Sequence, residues 1–322
     1  MYKNLNFHQR KIAFIVPTMD RELDLHILLS SIVKQSHHPD QIIIVDGSFV
    51  EIKHIIKEFP SLNIDYMRVF PPSLAKQKNA GVKKVKDNIT LVGYLDDDLE
   101  LYPDSVEKML SFWKGASKNV GGAAFAIVSG ERKIGGLRKL FGLDSDGPGK
   151  VLNNGFVSML DDPIETVNVD WLNGGATVWR REVINNYNYD EWFKGSGFME
   201  DIDFSFNIGE KYQLVLLSEA KTEHHHHPIR GDRYYLLGKW QIVNRLYFVR
   251  KYIHRGLSVR NAWIASFSIV LVNLVAGIYR ADYNRVRMSF GNIIGIFISI
   301  IKKDVQITGH LKRVQPNPNI KK

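Results

Sequence analysis

The amino-acid sequence predicts an α/β fold in which a mainly parallel sheet carries helices on its faces, followed by a helical C-terminal region. Short β-rich runs alternate with helical patterns through the first half of the chain, as in parallel sheets. Polar residues follow several of the predicted strands, at the edge where such sheets bind ligands. Two uncharged stretches edged by basic residues lie near the C-terminus and indicate the helical region.

The predicted elements follow one another at short intervals. In the first half, the predicted strands are residues 11–16, 41–46, 64–69 and 89–95, and the predicted helices are residues 20–35, 51–58 and 73–86. Ser73 is placed as the N-cap of the third helix. In the second half we predict a strand near 123–128, long loops up to residue 163, a helix over 181–186, a helix from about 199 and a strand over 214–218.

Three consecutive carboxylates, Asp96 to Asp98, come directly after the strand that we expect at the centre of the sheet. They repel one another, so a buried strand end seldom keeps three acids unless a cation lies there. Mg²⁺ or Mn²⁺ takes oxygen ligands and would relieve the repulsion. The alternative is a solvated acidic turn, because Tyr102-Pro103-Asp104 opens a helix soon afterwards.

Several classes of protein are disfavoured by what the sequence lacks. The chain has no cysteine, so disulfides and thiolate chemistry are excluded, and any metal site must use oxygen and imidazole ligands. The turn after the first strand, Pro17 to Arg21, carries neither of the glycine-rich phosphate-binding motifs. Dinucleotide-dependent oxidoreductases and P-loop nucleotidases are therefore disfavoured.

Positive charge is concentrated in the C-terminal region. From Pro228 onward there are 17 Lys and Arg against three Asp and Glu, while the whole chain has a net charge of +9. Residues 261–279 and 288–301 are uncharged, so we expect contact with a membrane surface rather than with nucleic acid. Monotopic or re-entrant association, a true membrane span and a buried helical hairpin all remain open. No secretory signal is visible in residues 1–10.

Seven short motifs occur in a recognisable order over roughly residues 10–230. They are Ile15-Val16-Pro17-Thr18, Ile44-Val45-Asp46-Gly47-Ser48, Lys76-Gln77-Lys78-Asn79-Ala80-Gly81, Leu95-Asp96-Asp97-Asp98, Trp171-Leu172-Asn173-Gly174-Gly175, Glu200-Asp201-Ile202-Asp203 and Ala220 four residues before His224. This order resembles the family 2 glycosyltransferases, nucleotide-sugar enzymes of GT-A fold. The resemblance implies a GT-A domain with a mixed, mainly parallel sheet over residues 1–228, and a basic, apolar, membrane-associated helical region over 229–322.

The resemblance assigns a nucleotide-sugar site to the polar edge of the sheet. The residues concerned are Pro17, Thr18, Arg21, Asp46, Lys76, Asn79, Asp96 and Asp97. Asp46 would accept a hydrogen bond from the base or sugar, although it could instead be a turn residue before Gly47. Lys76 and Asn79 would share one helix face toward the nucleotide, although Lys76 could lie on a solvated face.

The three acids resemble the D-x-D element of the family. By that resemblance, Asp96 approaches the ribose or donor sugar and the metal, and Asp98 ligates the Mn²⁺ or Mg²⁺ that bridges the two phosphates. His224 is expected as the second metal-side group. Because four adjacent histidines occupy residues 224–227, His226 is the next candidate.

The resemblance also places the acceptor side of the site. Asp201 is expected to be the general base, and Glu200 could take that role or orient the acceptor; acids favoured by the helix dipole in a first turn are the alternative. Expected beside the donor sugar and acceptor are Trp171, Asn173, Gly174, Gly175 and Trp192. For Trp192, packing in the core is the alternative.

Two departures from the family pattern limit the prediction. Lys-Gln-Lys-Asn stands where many relatives have Arg-x-x-Asn, which leaves the phosphate contact open. A Gln-x-x-Arg-Trp motif is absent near residues 235–245, which argues against a processive synthase.

The expected function is a metal-dependent, inverting transfer of a sugar, with a UDP-sugar as the favoured donor, to a hydroxyl of a glycan or lipid-linked acceptor. We expect it at the cytoplasmic face of a membrane, in surface polysaccharide assembly. Two rivals remain: another nucleotide-sugar-processing enzyme, such as a pyrophosphorylase or hydrolase, and a non-catalytic nucleotide-binding membrane module.

Overall fold

The computed structural model describes residues 10–128, 136–160, 162–195, 197–225, 227 and 231–302. The predicted domain boundary at residue 228 and the candidate metal ligand His226 lie outside these described residues. Nine strands of the described chain form one sheet in the order β3-β2-β1-β4-β8-β6-β9-β5, and β7 pairs with β9 beside this path. The sheet is mixed. β1 is parallel to β2 and β4, whereas β8 is antiparallel to both β4 and β6.

The strands are β1 Ile12–Thr18, β2 Gln41–Asp46, β3 Ile64–Arg68, β4 Leu91–Leu95, β5 Leu99–Leu101, β6 Val120–Val128, β7 Val167–Val169, β8 Ala176–Arg180 and β9 Gln213–His224. The α-helices are α1 Glu22–Val33, α2 Leu74–Val82, α3 Ser105–Gly115, α4 Gly136–Leu140, α5 Arg181–Asn186, α6 Glu200–Ile208, α7 Gly231–Lys251, α8 Val259–Tyr279 and α9 Tyr283–Ile301. Two 3₁₀ helices span Lys53–Glu58 and Ile253–Arg255.

The central strands are buried on both faces of the sheet. Along β1, Phe14 belongs to one hydrophobic cluster and its neighbours Ala13 and Ile15 belong to the other, because successive side chains of a strand point to opposite faces. Helix α1 covers one face with Leu25, Leu28, Leu29 and Ile32. Such a two-sided core explains why these strands read as continuous apolar runs.

Most predicted elements agree with the structure in kind and differ in length. The helix predicted over 51–58 is a 3₁₀ helix over Lys53–Glu58, and α4 lies where long loops are predicted. The helix predicted over 73–86 ends at Val82. The strand predicted over 214–218 extends to His224, because its second half pairs with β5 and β6. Strand β8, at the middle of the sheet, was not predicted: it follows the turn at Gly174-Gly175 and consists of only five residues.

The C-terminal helices share a hydrophobic core with the α/β part. Leu246 and Phe248 of α7 belong to the same buried cluster as Phe204 and Phe206 of α6, and the rings of Phe206 and Phe248 lie 5.4 Å apart. Within the described residues, α8 is the helix with the length and apolar composition to cross a membrane, and 39% of its most apolar window is buried against the protein.

Candidate active site

Strands β1, β2 and β4 end at the same edge of the sheet, and their last residues build one side of the site. Thr18 pairs with Asp46 in the β1–β2 register, and β4 ends at Leu95, directly before the three acids. Gln77 of α2 joins the strand ends: its Nε2 donates to the carbonyls of Thr18 at 3.0 Å and Val45 at 2.8 Å. The resemblance assigns no role to Gln77.

Thr18 and Arg21 hold the second and third acids in place. The hydroxyl of Thr18 donates to Oδ2 of Asp97 at 2.8 Å. Nη1 of Arg21 lies 3.0 Å from Oδ1 of Asp97 and 2.8 Å from Oδ2 of Asp98. A single guanidinium group therefore neutralises part of the charge on two adjacent carboxylates, which explains how the chain tolerates them at a strand end.

His224 completes this group from the opposite strand. β5 and β9 are antiparallel, and the pair Leu99 and His224 brings the imidazole next to the acids. Nε2 of His224 lies 3.0 Å from Oδ1 of Asp98. Burial opposes both charges, but the contact prevails: it lowers the pKa of Asp98 and raises the pKa of His224. A carboxylate and an imidazole at this distance are a donor pair that suits a divalent metal.

The other two acids keep their protons to a higher pH. Burial raises the pKa of Asp97 to about 7, against the opposing effects of Arg21 and Thr18. Burial also raises the pKa of Asp96, against the positive charge of Lys78. Burial thus disfavours the ionised form of both acids, and a cation bound beside them would favour it.

A second set of metal-compatible groups lies close by. Ligand atoms of Glu100, Glu223 and His225 all lie within 4.8 Å of one another, and Nε2 of His225 lies 3.0 Å from Oε2 of Glu100. The set is more exposed than Asp98 and His224. The backbone N–H of His225 donates to the carbonyl of Asp98 at 2.9 Å. The side chain of His224 contacts Asp98, whereas that of its neighbour His225 contacts Glu100.

Helix α6 supplies the acids of the other side of the site. Its N-terminus follows Met199, whose φ of 75° is left-handed, a conformation that costs energy for a residue other than glycine. Oδ2 of Asp201 accepts from the N–H of Gly174 at 3.3 Å, and its Oδ1 accepts from the N–H of Ile202 at 2.8 Å. Burial raises the pKa of Asp201, against the positive charge of Lys78.

Lys78 lies among the acids, and the resemblance assigns no role to it. Its side chain is buried, and Nζ lies 2.8 Å from Oε1 of Glu200. A Cβ atom at Gly174 would lie 2.5 Å from this Nζ, so a side chain at this position would displace the buried ammonium. At Gly175, a Cβ atom would lie 1.9 Å from Oδ2 of Asp96. Both glycines therefore leave room for charged side chains of the protein itself.

Several predicted site residues have partners within the protein. Asp46 is fully buried; its Oδ1 accepts from the N–H of Ser48 at 2.7 Å and its Oδ2 from the hydroxyl of Tyr66. Lys76 is exposed. The side chain of Asn79 exchanges hydrogen bonds of 2.9 Å with the backbone of Tyr189. For Asp46 and Lys76, this placement matches the alternatives of a turn residue and a solvated face.

The two tryptophans also have partners within the protein. Trp171 is buried in the core and its Nε1 donates to the carbonyl of Ser158 at 3.0 Å. One face of Trp192 stacks on Tyr247 of α7, with ring centroids 3.8 Å apart. Core packing is therefore the arrangement found for Trp171. Asn173 turns inward as well, since its Oδ1 accepts from the N–H of Ala176 at 3.0 Å.

Comparison with known proteins identifies the family. A sequence profile described as Glycosyl transferase family 2 matches residues 13–184, more than half of the chain. The chain belongs to this family. It is therefore a glycosyltransferase, and the predicted resemblance and GT-A fold are confirmed. A comparison with curated protein sequences gave no match.

Similar solved structures include the mannosyltransferase PcManGT from Pyrobaculum calidifontis, determined in complex with GDP-Man and Mn²⁺. It is 13% identical, with a TM-score of 0.58 over 93% of this chain and 89% of that chain. TarS of S. aureus is 16% identical, with a TM-score of 0.50 over 87% of this chain and 55% of its own. GalNAc-T7 with UDP, GalNAc and Mn²⁺ is 13% identical, with a TM-score of 0.52 over 67% and 44%. At these identities the likeness concerns the fold.

Proposed function

We propose that this family 2 glycosyltransferase is metal-dependent and inverting, and that it transfers one sugar from a nucleotide diphosphate to a hydroxyl group of the acceptor. The observation that supports this most directly is the division of the site into a metal-side group and an acceptor-side group. Asp98 and His224 form the metal-side group, and Asp201 belongs to the acceptor-side group. The positive charges of Lys78 and His224 both favour the ionised form of Asp96, so Asp96 is within electrostatic reach of both groups.

The metal-side group fits a hard divalent cation such as Mn²⁺ or Mg²⁺. Asp98 and His224 would hold it, with Asp96 as a further oxygen donor. When bound, such an ion acts as a Lewis acid that stabilises the charge on the departing nucleotide diphosphate. Because only neutral imidazole ligates a metal, the raised pKa of His224 makes protons compete with the cation. Two of the similar structures contain Mn²⁺, which agrees with this choice.

The donor would lie along the ends of β1 and β4. Arg21 is partly exposed, with 38% of its side-chain surface accessible, and it fixes the carboxylates of Asp97 and Asp98 in orientation. Thr18 does the same for Asp97 from the other side. We propose a UDP-sugar as donor, although the similar structures were determined with different nucleotides, GDP-Man in one and UDP in another.

Asp201 is the proposed general base. An inverting transfer is a single displacement, so one carboxylate must accept the proton of the acceptor hydroxyl on the face opposite the leaving nucleotide. Burial raises the pKa of Asp201, and a carboxylate with a raised pKa is a stronger base once it is ionised. Glu200 is paired with Lys78 and more deeply buried, so we assign it to orienting the site rather than to proton transfer.

The proposed acceptor is a hydroxyl of a glycan or of a lipid-linked glycan, at the cytoplasmic face of a membrane, in the assembly of a surface polysaccharide. The family supports a carbohydrate acceptor, and the basic, apolar C-terminal region supports the location.

A thermal-shift screen tests the proposal. UDP, GDP, CDP and dTDP would each be added with Mn²⁺, Mg²⁺ or EDTA, because a ligand that binds only the native state raises the melting temperature. We expect one nucleotide to stabilise the protein in the presence of metal and not in EDTA. No shift with any nucleotide, or equal shifts in EDTA, would count against a metal-dependent transferase.

A further inference from the structure

Helices α8 and α9 carry an apolar surface that the rest of the described protein leaves uncovered. We call it the α8–α9 face, and its most prominent side chains are Ile264, Phe267, Leu271, Phe290, Phe297 and Ile300. Phe267 and Phe297 each expose 57% of their surface. Contiguous exposed apolar patches mark sites of interaction with proteins or membranes.

The exposed positions lie on one side of each helix. On α8 they recur at Ile264, Phe267 and Leu271, and on α9 at Phe290, Ile294 and Phe297. Residues three and four apart in a helix share a face, so each helix contributes one continuous apolar strip. Helices α8 and α9 pack against each other across a short turn, which brings the two strips into a single surface.

The opposite sides of these helices are already packed against the protein. Ala265 and Ile269 of α8 belong to the main hydrophobic cluster. Helix α9 approaches α7 so closely that a Cβ atom at Gly291 would lie 2.1 Å from the carbonyl oxygen of Tyr235. Nδ2 of Asn292 donates to the carbonyl of Gly238 on α7 at 2.8 Å. With respect to the residues that the structure describes, the outer side of the pair is therefore the side available to a partner.

This one-sided packing decides how the pair can meet a bilayer. α8 has 21 residues and is about 30 Å long at 1.5 Å per residue, enough to cross the hydrocarbon core. However, α9 packs against α7, which carries Arg233, Lys239 and Arg250, and these charges would enter the hydrocarbon with a spanning pair. A helix that is polar or packed on one side and apolar on the other lies in the interface plane.

Charge favours lipid over a second copy of the chain as the partner. Exposed basic residues stand at both ends of the face: Arg260 and Lys302 at one end, Arg280 and Arg287 at the other. Tyr279, at the turn end, is 88% exposed, and tyrosine favours the headgroup level of a membrane. Anionic headgroups supply the opposite charge to these arginines, whereas a second copy would present the same charge.

We propose that the α8–α9 face lies flat on an anionic phospholipid bilayer, with its apolar side chains at the acyl boundary and its arginines among the headgroups. This inference deepens the membrane location within the proposed function, on which it rests. The catalytic body and α7 then remain on the aqueous side.

Vesicle flotation of the full chain tests the proposal. We expect wild type to float with vesicles of 30% phosphatidylglycerol in phosphatidylcholine, more weakly with phosphatidylcholine alone, and less as salt is raised. Phe267→Glu combined with Phe297→Glu should weaken binding by at least about tenfold, since each change removes an exposed phenyl group that would be buried in the lipid. Ile164→Glu is the matched control: Ile164 is fully exposed on another surface, and binding should not change.

Unique cysteines distinguish a flat orientation from a span, because the chain has none of its own. Ile264→Cys, Leu271→Cys and Ile278→Cys would each carry an environment-sensitive fluorophore, and lipid-attached quenchers at different depths would report its position. A flat helix predicts the same shallow depth at all three positions. A span predicts Leu271 at the bilayer centre and the other two near the surfaces, and that result would overturn the proposal.

Two further outcomes would overturn the proposal. The first is unchanged flotation of the double Phe→Glu variant. The second is a wild-type dimer that the same substitutions dissociate in the absence of vesicles, because the α8–α9 face would then bind a second copy of the chain. The nucleotide screen keeps this test separate from the proposed function: a variant that loses vesicle binding should retain the metal-dependent nucleotide shift of wild type.

Discussion

Nζ of Lys78 lies 2.8 Å from Oε1 of Glu200, and both side chains are buried. The same ammonium lies 4.7 Å from the ring centroid of Tyr189. Burial alone would lower the pKa of Lys78, but the carboxylates of Glu200, Asp96 and Asp201 reverse this and raise it. The buried ammonium of Lys78 therefore links Asp96, next to the proposed metal ligands, with Glu200 and Asp201 of α6.

Replacing Lys78 with methionine should destabilise the protein strongly. Removing one partner of a buried ion pair typically costs about 3–5 kcal/mol, because the other charge is left without compensation. The free energy of unfolding, from chemical denaturation, is the measurement. Adding Glu200→Gln should restore part of the loss, since no unpaired carboxylate remains at that position.

Lys76→Met is the matched control for that prediction. Lys76 stands two residues earlier on the same helix and is exposed, so its loss should change stability by less than about 0.5 kcal/mol. Equal effects of the two substitutions would show that Lys78 has no special part in holding the acids together.

Asp201→Asn should separate binding from turnover. The amide keeps the shape of the side chain but cannot accept the acceptor proton, so we expect turnover to fall at least ~10²-fold. The metal-dependent nucleotide shift should be unchanged, since Asp201 belongs to the acids of α6 and not to the proposed metal ligands. Asp104→Asn, at an exposed position, should retain full turnover. An Asp201 variant as active as wild type would remove this residue from the mechanism.

Two paired substitutions locate the metal. Asp98→Ala and His224→Ala should each abolish or greatly weaken the nucleotide shift that depends on Mn²⁺, because they remove the proposed ligands. Glu100→Ala and His225→Ala, which affect the neighbouring exposed cluster, should leave the shift intact. The reverse pattern would assign the ion to the cluster of Glu100, Glu223 and His225 instead.

Much of the sheet was readable from the sequence because its central strands are buried on both faces. β1, β2 and β4 are mostly apolar, and polar residues end β1 and β2 and directly follow β4. The same residues therefore predict both the strands and the polar edge of the sheet. β8 was missed because five residues after a glycine turn carry too little periodicity, and its place between β4 and β6 depends on long-range pairing.

The site was readable in outline but not in its buried ion pair. The resemblance drew attention to Lys76, but only the orientation of α2 decides which lysine of the helix turns inward. That lysine is Lys78, and a buried lysine is rarely expected from sequence. Trp171 shows the opposite case, since its motif resembles a sugar site while its indole ring packs in the core.

Asp203 should make stability fall as the pH rises through the acid range. Burial raises its pKa to about 6, against the attraction of Lys251 at 2.8 Å. Between about pH 4 and 6 the folded protein then binds more protons at this group than the unfolded chain does, so the free energy of unfolding decreases as pH rises. The expected change is on the order of 2 kcal/mol.

The measurement for Asp203 compares chemical denaturation of wild type and Asp203→Asn from pH 4 to 7. The stability of wild type relative to the variant should decline over this interval, because asparagine stays neutral. If wild type instead gains relative stability as pH rises, the ion pair with Lys251 outweighs burial and the direction predicted for the pKa is wrong.

Gly291→Ala should loosen the contact between α9 and α7. The added Cβ atom would lie 2.1 Å from the carbonyl oxygen of Tyr235, and backbone cannot move aside as a flexible side chain can. Overpacking of this kind costs about 1–3 kcal/mol, so the melting temperature should fall by several degrees. Gly115→Ala is the control: nothing lies within 4 Å of its added Cβ, and helix propensity predicts a gain of up to about 1 kcal/mol.

Because the outer side of α9 is unchanged by Gly291→Ala, vesicle binding measured well below the melting temperature should survive. A loss of vesicle binding without a loss of stability would mean that the lipid-facing surface is not the outer one.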